Sequence, residues 1–408
     1  MRYSLFLIMM AGCLLMAKAQ EKGSVAPVSQ PSRVRFHKIV INANSDFECA
    51  NAADINGDGK LDIVCGDTWY EAPNWTPHKF REIGVWGRDA NNSGYRADFA
   101  DLPVDCNGDG NIDIVSSDYA TGEIFWHENP GRGGKNGAMW EKHLIASPGS
   151  AETTVFAPIL GKETVCILPN CGNQVVWYEL RKPQNKGGKP TWVEHVVGKE
   201  GAAHGIGFGD VNGDGKCDLI TPHGWYENVD ARNDKWTWHK DWECNPGDLG
   251  IGTPAFDVDG NGHNSIVWGS GHHYGLFWMQ PSGTGSQAQW TQQPIDTTWS
   301  QAHTLILADI EGTRQSVVVT GKRYKAHDHD PGANEPLGLY YYKYDRKGKV
   351  WQKYVIEEGT QAGTGLQLTA VDLRHTGRLD LIAPGKSGLY LFVNEGRIRG
   401  SSKEVAAH

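Results

Sequence analysis

A nine-residue acidic loop recurs three times with the donor spacing of a hard-cation site. Its ligand positions are Asp54, Asn56, Asp58, Lys60 and Asp62, then Asp105, Asn107, Asp109, Asn111 and Asp113, then Asp210, Asn212, Asp214, Lys216 and Asp218. Side-chain oxygens stand at positions one, three, five and nine, and position seven offers its main-chain carbonyl. A glycine at position six turns the chain so that these acceptors converge, as Ca2+ requires. Asn-Gly and Asp-Gly also mark plain hairpin turns, but a turn does not explain the ninth carboxylate. The expectation is three calcium ions. A second chemistry is carried by histidines: His204, His223, His272, His273, His303, His327 and His329. Imidazoles brought together from separate loops suit Zn2+ or another divalent transition metal, or a general base beside an electrophile. The structural alternative is a polar, water-filled funnel.

The elements that must position these residues follow from a repeat. Fainter copies of the acidic loop begin at Asp257, Asp309 and Asp372, and Pro158 to Glu163 holds the place of one more. Each is followed by an apolar run, a glycine-rich break and an aromatic strand such as Trp69-Tyr70-Glu71, Trp126-His127-Glu128, Trp177-Tyr178-Glu179 or Trp225-Tyr226-Glu227. A period of about 50 residues with four short strands per unit is that of a β-propeller, because one unit cannot bury its own faces. The seventh copy stops after Asn394 without a fourth strand, and Val34 to Ile41 supplies one. The expected fold is all-β: a seven-bladed β-propeller over 34–396, closed by its N-terminal strand so that no edge stays open.

Strands that run back and forth put the acidic loops on one face. The turns after the second strands, and the segments entering each first strand, share the other. Glu48, Tyr95-Arg96, Glu152, His204, Asp248 and His303 enter blades. Asp67, Asp118, His223, His272-His273, the stretch Lys322 to Asp330 and Lys386 follow second strands. Gly321 to Glu335 is the longest insertion, and long ordered loops in compact domains are usually functional. His78, His143, His195 and His239 recur at strand ends and read as structural. Trp69, Trp225 and Tyr274 offer platforms for a sugar ring, although most tryptophans here read as blade packing.

Composition agrees with an exported all-β protein. Gly 51 and Trp 16 in 408 residues suit many turns and half-buried aromatic strands. The net charge of −9 argues against nucleic acid and against an anionic membrane, and leaves neutral partners such as carbohydrate. Residues 1–19 read as a signal peptide: Arg2, an apolar stretch from Leu5 to Met16, then Ala17-Lys18-Ala19. A lipoprotein reading through Cys13 competes, but apolar residues follow that cysteine where a polar tether is wanted. A periplasmic or secreted protein is expected, with a mobile leader over 20–33, a tail over 397–408 and no transmembrane segment. Cys65, Cys166 and Cys217 sit in or beside apolar runs and read as small core residues, and Cys166 with Cys171 stands close enough in sequence to close a hairpin.

The acidic loops resemble those of the VCBS or FG-GAP repeat family, calcium-binding propellers related to integrin heads. A closer likeness lies in His204-Gly205-x-Gly207-x-Gly209-Asp210, Gly224-Trp225-Tyr226-Glu227, Ala302-His303 and Gly321-Lys322-Arg323-Tyr324 with Ala326-His327. It is similar to the propeller domain of fungal aldos-2-ulose dehydratases, which dehydrate 1,5-anhydrofructose and carry further cupin and lectin-like domains. That resemblance implies β-elimination on a keto-sugar, or on a 3-keto-glycoside with the aglycone leaving. A base removes the proton beside the ketone, and a metal or cation stabilises the charge that develops. On this reading His204, His272, His273 and His303 hold the metal. His327 or Tyr324 moves the proton, His223 belongs to the same catalytic set, and Lys322 with Arg323 stabilises the oxyanion. Tyr95, Arg96, His329, Asp330 and Lys386 bind substrate. Two rivals remain: a non-catalytic glycan- or protein-binding propeller, and a polysaccharide lyase on uronic acids using Arg96, Lys322, Arg323 and Lys386.

Overall fold

The computed structural model describes residues 24–86, 94–131, 138–283, 288–324, 327 and 329–398. These form antiparallel units of four strands: 51–79, 102–146, 154–198, 207–239, 253–300, 305–358, and 369–397 completed by Val34–Asn42. The middle strands Asp62–Cys65, Cys166–Pro169, Asp218–Thr221 and Asp380–Ala383 are buried along their whole length. They are apolar runs rather than alternating strands because both faces of each meet packed neighbours. Among the described residues no helix is long and apolar enough to cross a membrane.

Hydrophobic clusters join each unit to the next. Val64 and Trp69 of the first pack with Ile114 and Trp140 of the second. Ile382 and Leu391 of the last pack with Ile63 and Tyr70 of the first. Between units four and five the inner strands Gly207–Gly209 and Thr253–Phe256 pair in parallel, merging two sheets into one of eight strands. A side chain at Gly207 would collide with the Thr253 carbonyl, which is why the run after His204 needs glycine there.

The N-terminal strand Val34–Asn42 pairs antiparallel with Leu389–Arg397. The stretch read as a mobile leader departs from expectation. Val28–Pro31 pairs in parallel with Gln352 to Val355 and adds a fifth strand to unit six. Its backbone groups thereby cover an otherwise open sheet edge. The signal segment 1–19 lies outside the described residues, as does the tail from 399 onward. All seven described cysteines are buried free thiols, so Cys166 and Cys171 do not form a bridge.

Candidate functional site

On the face opposite the acidic loops, four units contribute one side chain each to a single point. Glu152 stands just before Thr154–Phe156, His204 just before Gly207–Gly209, and His303 just before Leu305–Ala308. His272 lies in the turn between Ser265–Gly269 and Tyr274–Ser282. One donor atom from each of the four falls within 4.8 Å of the others. Gly271 leaves the space for this: a Cβ there would sit 3.0 Å from His204 Cε1 and 3.2 Å from His303 Cδ2.

The hydrogen bonds around the cluster assign its tautomers. His204 Nδ1 is 3.1 Å from the Leu249 carbonyl, which only accepts, so Nδ1 carries the proton. His272 Nδ1 is 2.9 Å from the Asp330 carboxylate and donates likewise. The two Nε2 atoms then face each other at 3.1 Å, with Glu152 Oε2 2.6 Å from that of His204. His303 Nε2 reaches Glu152 Oε1 at 3.0 Å, and its Nδ1 is buried with no partner among the described residues. Lone pairs and a carboxylate thus point inward on one spot, and only a cation satisfies them: a proton shared with Glu152, or a metal ion. Three imidazoles and a carboxylate fit Zn2+ or a similar divalent ion, and Asp330, which holds the His272 ring, would be the outer partner that orients a ligand.

Charge is arranged accordingly. Burial pushes the His204 pKa down, but Glu152 outweighs it and holds it above the ordinary histidine value. Burial opposes ionisation of Glu152, yet His204 and His303 keep its carboxyl well below its usual range. His303 is driven down to about 3 by burial and by the Arg323 guanidinium. Arg323 is itself buried, donating to both oxygens of Glu48 at 2.7 and 3.1 Å and to Glu152 at 3.3 Å.

The remaining expected site residues divide. His327 joins the cluster's edge, its ring stacked on His272 at 4.9 Å and its Nδ1 2.6 Å from the Tyr95 hydroxyl. His329 stacks on His327 at 5.3 Å and is exposed. Lys386 Nζ lies 3.8 Å from the Tyr95 ring centroid. Tyr324 lines a neighbouring cavity instead of meeting the cluster. His223 pairs with Glu243 and stands apart, and His273 turns to Asp248 at 3.3 Å, so neither joins the metal group. Lys322 is buried against Ser300 Oγ at 2.7 Å, its pKa lowered to about 8 by loss of solvent. Its burial and the engagement of Arg323 with two carboxylates leave neither of them facing a substrate. Arg96 is held by Asp46 at 2.8 and 2.9 Å. Lys325, Ala326 and Asp328 of the long insertion lie outside the described residues.

Trp69 and Trp225 are not sugar platforms. His78 and His239 stack on them at 4.2 and 4.4 Å, and both indoles are buried. The same stack recurs as Trp126 on His143 and Trp177 on His195. In three units the histidine bonds a glutamate that also accepts from the third residue of the acidic loop, as Asn56 to Glu71, Asn107 to Glu128 and Asn212 to Glu227. These histidines are structural, as their recurrence implied.

The acidic loops fold their oxygens inward. Asp54 accepts from the amides of Asp58 and Gly59, and Asp210 from those of Gly213, Asp214 and Gly215. The ninth aspartates also lock the loop to the strands. Asp62 accepts from the Ile55 and Ala72 amides, Asp113 from Cys106 and Asn129, and Asp218 from Val211 and Asn228. This oxygen-only set suits a hard cation. Unit seven carries its own cation instead: Arg374 donates to both oxygens of Asp380 at 3.1 Å.

Glu152, Glu48 and the Tyr95–His327 pair were not singled out as partners in the sequence reading. The one available signal was position: Glu48, Glu152, His204 and His303 occupy equivalent places before the inner strands of units one, three, four and six.

Fold and site together define an all-β protein of repeated four-stranded units with a histidine–carboxylate cluster on one face. No family model matches the chain, and no curated relative does. Among solved structures it is similar to an Agrocybe aegerita lectin that recognises non-reducing terminal N-acetylglucosamine. Identity there is 17%, over 88% of this chain and 90% of that one, with a TM-score of 0.45. It is also similar to a catalytically inactive virginiamycin B lyase from Staphylococcus aureus with quinupristin, at 10% identity over 88% and 99%, with a TM-score of 0.46. Likenesses this distant carry no argument about chemistry.

Proposed function

We propose that this chain is an exported seven-bladed β-propeller of the VCBS or FG-GAP type whose histidine face catalyses metal-assisted β-elimination on a keto-sugar or 3-keto-glycoside. Calcium in the acidic loops of units one, two and four acts as a structural prop. The cyclic sequence of shared cores supports the propeller reading. The observation that carries the activity is the inward-facing set of Glu152, His204, His272 and His303, with the outward-lying His327–Tyr95 pair beside it.

A divalent ion held by these four residues would polarise the ketone oxygen of a bound sugar. His327 is the base. With its Nδ1–H donating to the Tyr95 oxygen, Nε2 accepts the proton from the carbon next to the ketone. Tyr95 passes its own hydroxyl proton to the oxygen that leaves from the carbon beyond, while His327 Nδ1 refills it. One C–H and one C–O bond break and a C=C bond forms; the pair keeps its proton count but leaves His327 as the Nε2–H tautomer, which returns to the Nδ1–H form by proton exchange with solvent before the next turnover. Loss of solvent and the adjacent His272 lower the His327 pKa, favouring the neutral imidazole that a base needs.

The non-catalytic binding module remains the alternative. The uronate lyase ranks third, because Arg96, Lys322 and Arg323 are each engaged by other residues, while Lys386 lies over the Tyr95 ring. Elemental analysis of the purified protein tests the proposal, with His204→Ala and Glu152→Gln alongside and a screen for ultraviolet-absorbing enone from keto-sugars. One transition-metal ion per chain, lost in both variants while calcium stays, together with enone formation, is the expected result. Calcium alone, with neither substitution changing metal content or turnover, overturns it.

A further inference from the structure

Beside the histidine cluster lies a second cavity, of about 460 Å³, bordered by Asn44, Asp46, Tyr324, Glu335, Gln361 and Lys386. Lys386 ties it to the cluster, since it covers the ring of Tyr95, whose hydroxyl bonds His327. Glu335 lies in the same inter-strand connection as His327 and Asp330, and bonds the Tyr274 hydroxyl. A molecule reacting at His327 and extending past Tyr95 therefore enters this cavity.

Its lining is that of a neutral, hydroxyl-rich guest. The side-chain amides of Asn44 and Gln361 spend no hydrogen bond on any described residue, although both border the cavity; only their main-chain atoms are engaged. Each offers a donor and an acceptor to a ligand. Asp46 is held in place by Arg96 and presents a fixed acceptor. Among the described residues the charges here balance: Asp46 is paired with Arg96, and Glu335 shares the wall with the ammonium of Lys386. With no excess positive charge on the wall a ring carboxylate finds no counter-ion to spare there, whereas sugar hydroxyls both give and receive. A few polar groups around an aromatic such as Tyr324 are the usual make-up of a small-molecule site.

We propose that this cavity is the leaving-group subsite, taking the neutral second sugar ring of a keto-disaccharide, so that the substrate is a keto-glycoside and not a free keto-sugar. The inference rests on the elimination reading above. The departing fragment is a neutral monosaccharide: its glycosidic oxygen receives the Tyr95 proton, and the keto ring leaves as an enone, so that atoms and protons balance.

The experiment compares a 3-keto-disaccharide whose second ring is glucose with the methyl 3-keto-glucoside, following enone absorbance for the wild type and for the Asn44→Ala/Gln361→Ala double variant. A wild-type kcat/KM ratio of about tenfold or more in favour of the disaccharide is expected, falling toward one in the variant. Equal kcat/KM for both compounds in the wild type, or an unchanged ratio in the variant, overturns the subsite. Calorimetric titration of the same keto-disaccharide into both proteins separates the two failures. If neither protein turns over either compound, yet the wild type binds the disaccharide and the variant binds it at least tenfold more weakly, the elimination reading falls and the sugar site stands. Equal binding by both proteins, or none by either, sinks the subsite itself. Matching thermal unfolding of the two proteins excludes a folding defect.

Discussion

The two faces of this molecule are built in opposite ways. An acidic loop is made within one unit from nine consecutive residues, and its carboxylates accept from amides two to sixteen positions away in the chain. The histidine face takes one residue per unit from places far apart: His204 and His272 are separated by 68 residues, His303 and Glu152 by 151, Arg323 and Glu48 by 275. Repetition builds the first face. The second arises where repeats differ, because equivalent positions before the inner strands hold glutamate in some units and histidine in others. A local loop fails alone when broken, whereas a cross-linked face fails as a whole.

That contrast can be broken first at Arg323. Arg323→Ala leaves Glu48 buried without its counter-charge and frees one side of Glu152. We expect a loss of about 3–5 kcal/mol in unfolding free energy by urea titration, together with reduced transition-metal content. A loss below about 1 kcal/mol would mean that the buried pair is not holding the face together. Asp218→Ala comes next, since it strands the amides of Val211 and Asn228 beneath a side chain with no exposure. A cost of about 2–3 kcal/mol is expected. Hydrogen exchange should rise in 207–239 while the segments carrying Glu152, His272 and His303 keep their protection. Exchange that rises evenly across all units would erase the distinction between local and convergent construction.

The effect that is smallest at neutral pH concerns two histidines of opposite character. His204 is held above its ordinary pKa, whereas His127, buried against Ser116 Oγ and near Arg81, is lowered from 6.5 to about 2, chiefly by burial. Between those values the unfolded chain binds a proton at His127 that the folded chain refuses. His127 therefore costs nothing above pH 6.5, and its contribution falls by up to about 1.4 kcal/mol per unit as pH drops below that. His127→Asn should flatten part of the acid limb in urea titrations between pH 6.5 and 4. Identical acid limbs for variant and wild type would show that His127 is not held neutral.

Sequence alone determined the strand-rich repeat, the acidic loops, the structural role of His78, His143, His195 and His239, and the pairing of Val34–Asn42 with the last unit. Each depends on short-range spacing or recurrence, which a linear chain displays directly. It also brought His204, His272 and His303 to one face, because alternating strands assign every turn to one side or the other. Only the tertiary structure decided which residues on that face meet. It brought in Glu152 and Asp330, sent His223 and His273 to Glu243 and Asp248, buried Lys322 and Arg323, and set Tyr95 against His327. Such choices turn on ångström-scale distances between units and on which carboxylate lies nearest each cation, and neither quantity is encoded in the spacing of residues along one strand.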